Sequence, residues 1–185
     1  MLKPLPTAPP RFYGVTTFSD HEGRFKFRVP SNWYQSELDD ERDGMIWVPD
    51  PDDPDTHLSC WVEKLEQKVE EGDVEGLRSG LEQGLSRLPD CEVESGSDDH
   101  YGNLIKFERV FTYGEASGDR PGGGARRKRR SWYLYADRWA IVLAYQGATP
   151  EHYEYWLPMG NYAFATFDVA EWLWFATDRD LGFRP

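Results

Sequence analysis

Alternation of apolar and polar residues predicts a β-hairpin near the start of the chain. Residues 25–29 read Phe-Lys-Phe-Arg-Val, the period of two that a half-buried strand shows. Residues 12–20 are rich in aromatic and β-branched side chains, and His-Glu-Gly at 21–23 supplies a turn between the two segments. Pro30 ends the second strand because it has no N–H to give to a ladder.

Further segments along the chain have the same strand-like character. They are 45–48, 58–62, 91–94, 104–113, 131–136 and 139–145. Asp137 and Arg138 form a tight turn between the last two segments, so we expect these to pair as a second hairpin. Residues 164–169 fit either a final strand or part of a helix.

One clear helix interrupts the strands. Asp73 suits an N-cap, Pro89 ends the pattern, and apolar residues recur between them at steps of three or four. The apolar residues are Val74, Leu77, Leu81, Leu85 and Leu88. Gly76, Gly80 and Gly84 lie four apart, although each costs about 1 kcal/mol relative to Ala. We expect this smooth glycine face to lie close against the sheet.

These elements predict an α+β fold built on an antiparallel sheet. Thr149 followed by Pro150 predicts the start of a short second helix. Residues 1–10 hold four prolines and predict an extended leader. Residues 11–170 predict a single α+β domain, and residues 171–185 an aromatic C-terminal tail.

The order of the elements and several short motifs resemble the PsbP-like superfamily. That group includes the PsbP extrinsic proteins of photosystem II, the eukaryotic Ran-binding nuclear import factor and bacterial DcrB-like proteins. The motifs are Phe18, Asp20, Gly23-Arg24-Phe25-Lys26-Phe27, Pro30, Trp33 and Thr166-Phe167. The resemblance covers residues 12–169. It implies a curved antiparallel sheet flanked by helices, in an α/β/α sandwich.

The same resemblance implies a non-catalytic role. Proteins of this group bind other proteins, sometimes with metal ions, and no catalytic residue carries over to this chain. We therefore expect another protein as the partner, with no cofactor, no metal ligands and no catalytic residues. The basic run at 126–130 and the aromatic residues at 171–175 depart from the family pattern, so the resemblance names no particular partner.

Composition predicts a folded, acidic protein. Aromatic residues make up 15% of the chain, with eight Trp, ten Tyr and ten Phe, and disordered chains are poor in such residues. The formal net charge is -12 at pH 7. This charge argues against general nucleic-acid binding, because neutralising phosphates requires an excess of Lys and Arg.

Cysteine usage and hydropathy predict a soluble cytoplasmic protein. Cys60 and Cys91 are too few for a disulfide-dependent scaffold, and the sequence leaves open whether they pair. The first residues lack the apolar run of a signal peptide. No stretch reaches the roughly 18 apolar residues that a membrane helix needs.

The acidic segment 50–55, followed by His57 and Cys60, is a candidate metal site. Prolines interrupt the Asp-x-Asp-x-Asp-Gly spacing of a calcium loop, and the second Cys/His pair of a zinc site is missing. On a strand, positions 57 and 60 point to opposite faces. We therefore predict a solvated acidic loop.

Two further motifs look like chemistry but predict turns or loops. Asp98, Asp99 and His100 follow Ser-Gly-Ser at 95–97, which favours an exposed turn over an acid–base cluster. The glycines at 122–124 are followed by Ala-Arg instead of the Gly-Lys-Ser/Thr of a phosphate-binding loop.

Two segments are candidate partner-binding surfaces. The first is a run of five cations after the glycines, predicted as a flexible loop that either docks onto an acidic protein, nucleic acid or anionic lipid, or balances the acidic remainder. These cations are Arg126, Arg127, Lys128, Arg129 and Arg130. The second is the tail, whose aromatic residues either form an exposed contact or pack back onto the sheet. The tail residues are Trp172, Trp174 and Phe175.

The alternative function is a pocket for a small apolar or aromatic ligand. The candidate lining residues are Trp33, Trp47, Tyr133 and Trp139. An enzyme would require a polar cluster in a cleft, centred on one or more of the scattered histidines His57, His100 and His152. The sequence gives no reason to expect such a cluster.

Overall fold

A computed structural model describes residues 4–39, 41–114 and 126–174 of the chain. Ten strands lie in these ranges: β1 (Val15–Ser19), β2 (Phe25–Pro30), β3 (Tyr34–Glu37), β4 (Asp43–Val48), β5 (His57–Lys64), β6 (Glu92–Tyr101), β7 (Leu104–Gly114), β8 (Arg126–Ala136), β9 (Trp139–Gly147) and β10 (Asp168–Val169). The helices are α1 (Val74–Ser86), α2 (Pro150–Thr166) and α3 (Glu171–Trp174), and a 3-10 turn at Glu71–Asp73 leads into α1.

The strands form two antiparallel sheets. Seven of them make the central sheet, in the order β3-β4-β5-β9-β8-β7-β6. The other three make a small sheet in the order β1-β2-β10. The predicted α+β class, the hairpin of β1 and β2 and the hairpin of β8 and β9 are all confirmed.

The central sheet has helices on both faces. The small sheet and α2 cover one face, where Phe27, Trp47, Leu143 and Phe164 belong to the main core. On the opposite face lies α1, whose Leu77 and Leu81 pack with Tyr133, Tyr135 and a smaller cluster on the sheet. We call this second side the α1 face.

Local sequence explains where α2 begins and ends. The Thr149 hydroxyl accepts a hydrogen bond of 3.3 Å from the backbone N–H of His152, and Pro150 occupies the first turn. The prediction of a short helix is wrong. The helix is 17 residues long, and its buried side chains continue to Phe164. It ends at Thr166, and the ambiguous segment 164–169 contributes both the last helical turn and strand β10.

A buried ion network fastens the β1–β2 hairpin to the central sheet. Arg24 is 1% exposed and donates to both carboxylate oxygens of Asp20 at 2.7 Å. The same guanidinium reaches Asp43 on β4 at 3.2 Å and lies over the Trp139 ring, 4.4 Å from its centroid. Burial alone would raise the pKa of Asp20, but its hydrogen bonds from Arg24 hold that pKa below the usual value.

The turn predicted at 95–100 is wrong. These residues belong to β6, an outer strand whose Asp98 lies opposite Phe107 of β7, with a register shift between Val93 and Ser95. Arg78 and Arg109 each pair with Asp98 at 2.6 Å. Ladder hydrogen bonds and ion pairs therefore hold a polar segment in an extended conformation.

The loop predicted at 126–130 is also wrong. All five cations lie in the first half of β8, between β7 and β9, with Arg129 opposite both Phe111 and Gln146. Pairing with β7 along the whole run, and with β9 from Lys128 onward, fixes this segment. The glycines at 122–124 lie outside the described residues.

Candidate functional site

The α1 face carries an open groove between α1 and the central sheet. Its volume is about 500 Å³, which falls within the roughly 300–1,000 Å³ of small-molecule sites. The lining residues are Trp61, Gly76, Leu77, Gly80, Leu81, Gly84, Leu85, Leu88, Phe111, Arg129, Tyr133 and Tyr135. We call this set the α1 groove. Apolar and aromatic side chains dominate it, with one guanidinium and two phenols among them.

The glycines of α1 face empty space. A Cβ built on Gly76, Gly80 or Gly84 meets no atom within 4 Å. The prediction that this face lies close against the sheet is therefore wrong. Leucines at neighbouring positions bridge to the sheet instead, and the missing side chains leave the groove open along the helix.

The two tyrosines bring unused polar groups to the groove. Neither the Tyr133 nor the Tyr135 hydroxyl makes a hydrogen bond with any residue in the described ranges. Burial is the main cause that raises the pKa of Tyr135, so it stays a neutral phenol. Both hydroxyls are able to donate to, or accept from, a bound molecule.

Strand alternation divides the basic run between the two faces of the sheet. On the α2 side, Lys128 pairs with Glu94 and Glu154 at 2.9 Å, and Arg130 pairs with Glu108 at 2.9 Å. Arg126 pairs there with Glu92. Arg127 and Arg129 point to the α1 face, where Arg127 pairs with Asp55 at 3.0 Å. The run is thus not one basic patch.

Arg129 differs from its four neighbours in the run. Its Nε donates to the Ser131 hydroxyl at 3.1 Å, and its guanidinium lies 6.0 Å from the Trp61 ring centroid. Among the described residues, no carboxylate forms an ion pair with it. Arg42 lies over the same Trp61 ring at 4.4 Å.

A second depression continues from the α1 groove across the sheet. It has a volume of about 480 Å³ and shares Trp61 and Arg129 with the groove. Its other apolar lining residues include Ile46, Val48 and Pro54. Together the two depressions form a band across the α1 face, with Arg129 in the middle.

His57 lies in the second depression, and its burial and the charged side chains around it shift its pKa. Burial, helped by the positive charges of Arg129 and Arg127, lowers the pKa of His57 to about 4. The Pro54 carbonyl, 2.9 Å from Nδ1, and the Asp55 carboxylate oppose this shift. His57 is therefore neutral at pH 7.

We expect His57 to make the protein less stable as the pH falls from 7 to 5. The unfolded chain binds a proton near pH 6.5, whereas the folded chain binds it only near 4. The expected loss in this interval is about 2 kcal/mol in the free energy of unfolding. Urea unfolding at both pH values measures it. His57→Asn, whose amide is able to keep the bond to Pro54, serves as the control, and an equal loss in that variant contradicts the prediction.

Solved structures of similar shape support the fold. The solution structure of cyanobacterial PsbP (CyanoP) from Synechocystis superposes with a TM-score of 0.58 at 10% identity, over 89% of this chain and 99% of that one. The chain has a PsbP-like fold. A crystal structure of LpqN, involved in cell envelope biogenesis of Mycobacterium tuberculosis, gives a TM-score of 0.56 at 14% identity, over 84% of this chain and 91% of that one. A Bacteroides thetaiotaomicron protein gives 0.52 at 14% identity, over 83% of this chain and 48% of that one.

These comparisons confirm the resemblance as one of fold, since the identities are low. No protein-family model and no curated protein sequence matches this chain. The PsbP-like fold accounts for the sheet between α1 and α2. In the part of the chain that the structure describes, every helix is too short or too polar to cross a bilayer.

The ligand pocket predicted from four aromatic residues is not formed as such. Trp33 and Trp47 are buried in the main core of the PsbP-like fold, at 6% and 1% exposure. Trp139 packs against that core, whereas Tyr133 lies on the opposite side of the sheet, in the α1 groove. Of the four, only Tyr133 lines the groove.

The described part of the aromatic tail has one buried and one exposed side. Leu173 of α3 is fully buried in the main core, and Trp172 is 49% exposed. Trp174 ends α3, and Phe175 lies outside the described residues. Thus α3 docks on the α2 side of the PsbP-like fold, away from the α1 groove.

The histidines considered for catalysis lie on different elements. His57 is on β5, His100 on β6, and His152 in the first turn of α2, 3.9 Å from Asp53. His57 and Cys60 face opposite sides of the sheet, as their spacing predicts. Within the described ranges, no group of three or more His, Cys, Asp or Glu residues is arranged to hold a metal ion.

Proposed function

We propose that the protein is a non-catalytic interaction module that holds an apolar segment of a partner protein in the α1 groove. The open groove, lined by Trp61, Tyr133 and Tyr135, is the observation that carries the proposal. Aromatic residues are enriched where proteins bind one another, because each gives a large contact area with few rotatable bonds.

The dimensions of the groove favour a segment of polypeptide. From Gly76 to Leu88 the groove follows about 18 Å of chain at the helical rise. Five or six residues of extended chain, at roughly 3.3 Å each, cover the same length. A groove beside a helix, with pockets for side chains, matches the ways in which domains bind peptides.

The glycines of α1 support the same proposal. Each costs the helix about 1 kcal/mol relative to Ala, and none is required by packing against a described residue. Their effect is to leave room beside Tyr133 and Tyr135, which a bound side chain is able to fill.

Filling the groove tests the proposal. Random twelve-residue peptides are selected by display on the immobilised protein, and the affinity of selected peptides is measured by fluorescence anisotropy. We expect peptides rich in aliphatic and aromatic residues. Gly80→Leu puts a side chain into the groove and improves helix propensity by about 0.8 kcal/mol, and we expect it to weaken binding at least about tenfold.

Ser79→Leu is the matched control. Ser79 is an exposed neighbour on α1 that does not line the groove, so we expect it to change the affinity less than about twofold. Failure to select peptides, or equal weakening by both variants, contradicts the proposal. If no peptide is selected but Gly80→Leu abolishes binding of the dye anilinonaphthalene sulfonate, the alternative of a small aromatic ligand is supported.

A further inference from the structure

The starting point is the distribution of partners in the basic run of β8. Arg126, Arg127, Lys128 and Arg130 each pair with a carboxylate of the chain. Arg129 pairs with none of the described ones. The chain has a net charge of -12, so carboxylates are in excess over cations. A half-buried arginine that has no carboxylate partner among the described residues is unusual in such a chain.

The guanidinium of Arg129 is held in place with part of its donors unused. Its Nε donates to Ser131, which is fully buried, at 3.1 Å. The two terminal nitrogens make no hydrogen bond with a described residue. Arginine presents its N–H groups in a planar fork that fits both oxygens of a carboxylate. Anchoring one side of the fork reduces the entropy lost when an anion binds.

We infer that the partner segment places the carboxylate of one Asp or Glu on Arg129, with apolar side chains on either side of it. This inference rests on the proposed function and specifies the partner. Arg129 lines both depressions of the α1 face, so a segment that crosses the face passes over it. Apolar residues of the segment then occupy the α1 groove next to Tyr133 and the second depression next to Ile46.

Acidic residues of the protein limit the segment to few carboxylates. Besides Arg129, the second depression is lined by Glu37, Asp39 and Arg42, whose charges sum to one negative charge and disfavour a second carboxylate there. The expected partner is therefore an apolar segment with one acid at a fixed position, and not a generally acidic one. A carboxylate on Arg129 also offsets the positive charge that lowers the pKa of His57.

Peptide display on wild-type protein and on Arg129→Gln tests the inference. We expect wild-type selections to share one Asp or Glu between apolar residues. Changing that residue to Asn or Gln weakens the peptide at least about tenfold, the size of effect seen for a desolvated charge pair. With Arg129→Gln, the acid and its amide bind equally.

Arg126→Gln is the control for loss of one positive charge, because Arg126 lies in the same strand but on the opposite face. We expect it to keep the preference for the acid. Selection of apolar peptides without an acid, or an acid preference that persists in Arg129→Gln, overturns this inference and leaves the proposed function standing. Failure to select any peptide overturns the proposed function itself, and this inference with it.

Discussion

Replacing Arg24 by Met is expected to lower the free energy of unfolding by about 3–5 kcal/mol. The substitution keeps much of the side-chain volume but removes the positive partner of Asp20, which is 8% exposed, and its two hydrogen bonds of 2.7 Å, leaving the carboxylate only the backbone N–H groups of Glu22 and residue 24. A buried charge without a partner is among the most destabilising changes in a protein interior. Urea unfolding followed by Trp fluorescence measures the loss.

Lys26→Met, two residues further along the chain, is the control. Its pair with Asp168, at 3.2 Å, joins two side chains that are each more than half exposed, so we expect less than about 1 kcal/mol. The double variant Asp20→Asn, Arg24→Met is expected to be more stable than Arg24→Met alone, because the buried charge is removed with its partner. If Arg24→Met costs no more than Lys26→Met, the network does not fasten the hairpin.

The Gly147→Ala substitution is expected to lower the free energy of unfolding by at least about 4 kcal/mol. A loss of this size is exceptional and indicates that the new side chain meets structure that is unable to adjust. A Cβ at Gly147 lies 2.2 Å from the backbone nitrogen of Tyr153 and 2.5 Å from its Cα. Because both are backbone atoms of α2, the helix itself must move. That movement disturbs the buried hydrogen bond of 2.9 Å from the Tyr145 hydroxyl to the Tyr153 carbonyl.

Gly80→Ala is the same chemical change in open space. We expect it to raise the free energy of unfolding by about 1 kcal/mol, because Ala is the better helix former and its Cβ meets nothing within 4 Å. Thermal unfolding of the two variants beside the wild type gives the comparison. Similar effects of both substitutions on the free energy of unfolding would contradict the prediction.

The elements that the sequence predicts well are those with two different faces. Residues 25–29 alternate between apolar and charged, and α1 has a leucine stripe, so periodicity alone indicates what is buried. Periodicity fails over the run 126–130, because cations lie on both faces of β8. The two faces therefore carry the same residue type, and the sequence shows no apolar–polar alternation there. The strand predicted at 91–94 is the start of β6, but its continuation to Tyr101 was missed for a related reason: as an outer strand it is largely exposed and polar.

The site was only partly predictable because its residues meet through strand pairing. Trp61, Arg129 and Tyr133 come from two strands that both pair with β9, which lies between them. Tyr133 was among the aromatic candidates, but nothing local indicates which face of β8 it occupies. The glycines of α1 gave the strongest signal, since their cost to the helix required an explanation, although the explanation is open space and not close packing.

The outer strand β6 also restricts how another molecule is able to meet the protein. An unpaired strand edge is a template on which a second chain adds itself, as in amyloid growth. Here the register shift between Val93 and Ser95 makes that rim irregular, and the ion pairs of Asp98 and Asp99 cover it with charged side chains. At the opposite rim, β3 is only four residues long. Lateral extension of the sheet is disfavoured at both rims, so recognition is directed to the broad side of the sheet, where a partner is held by its side chains.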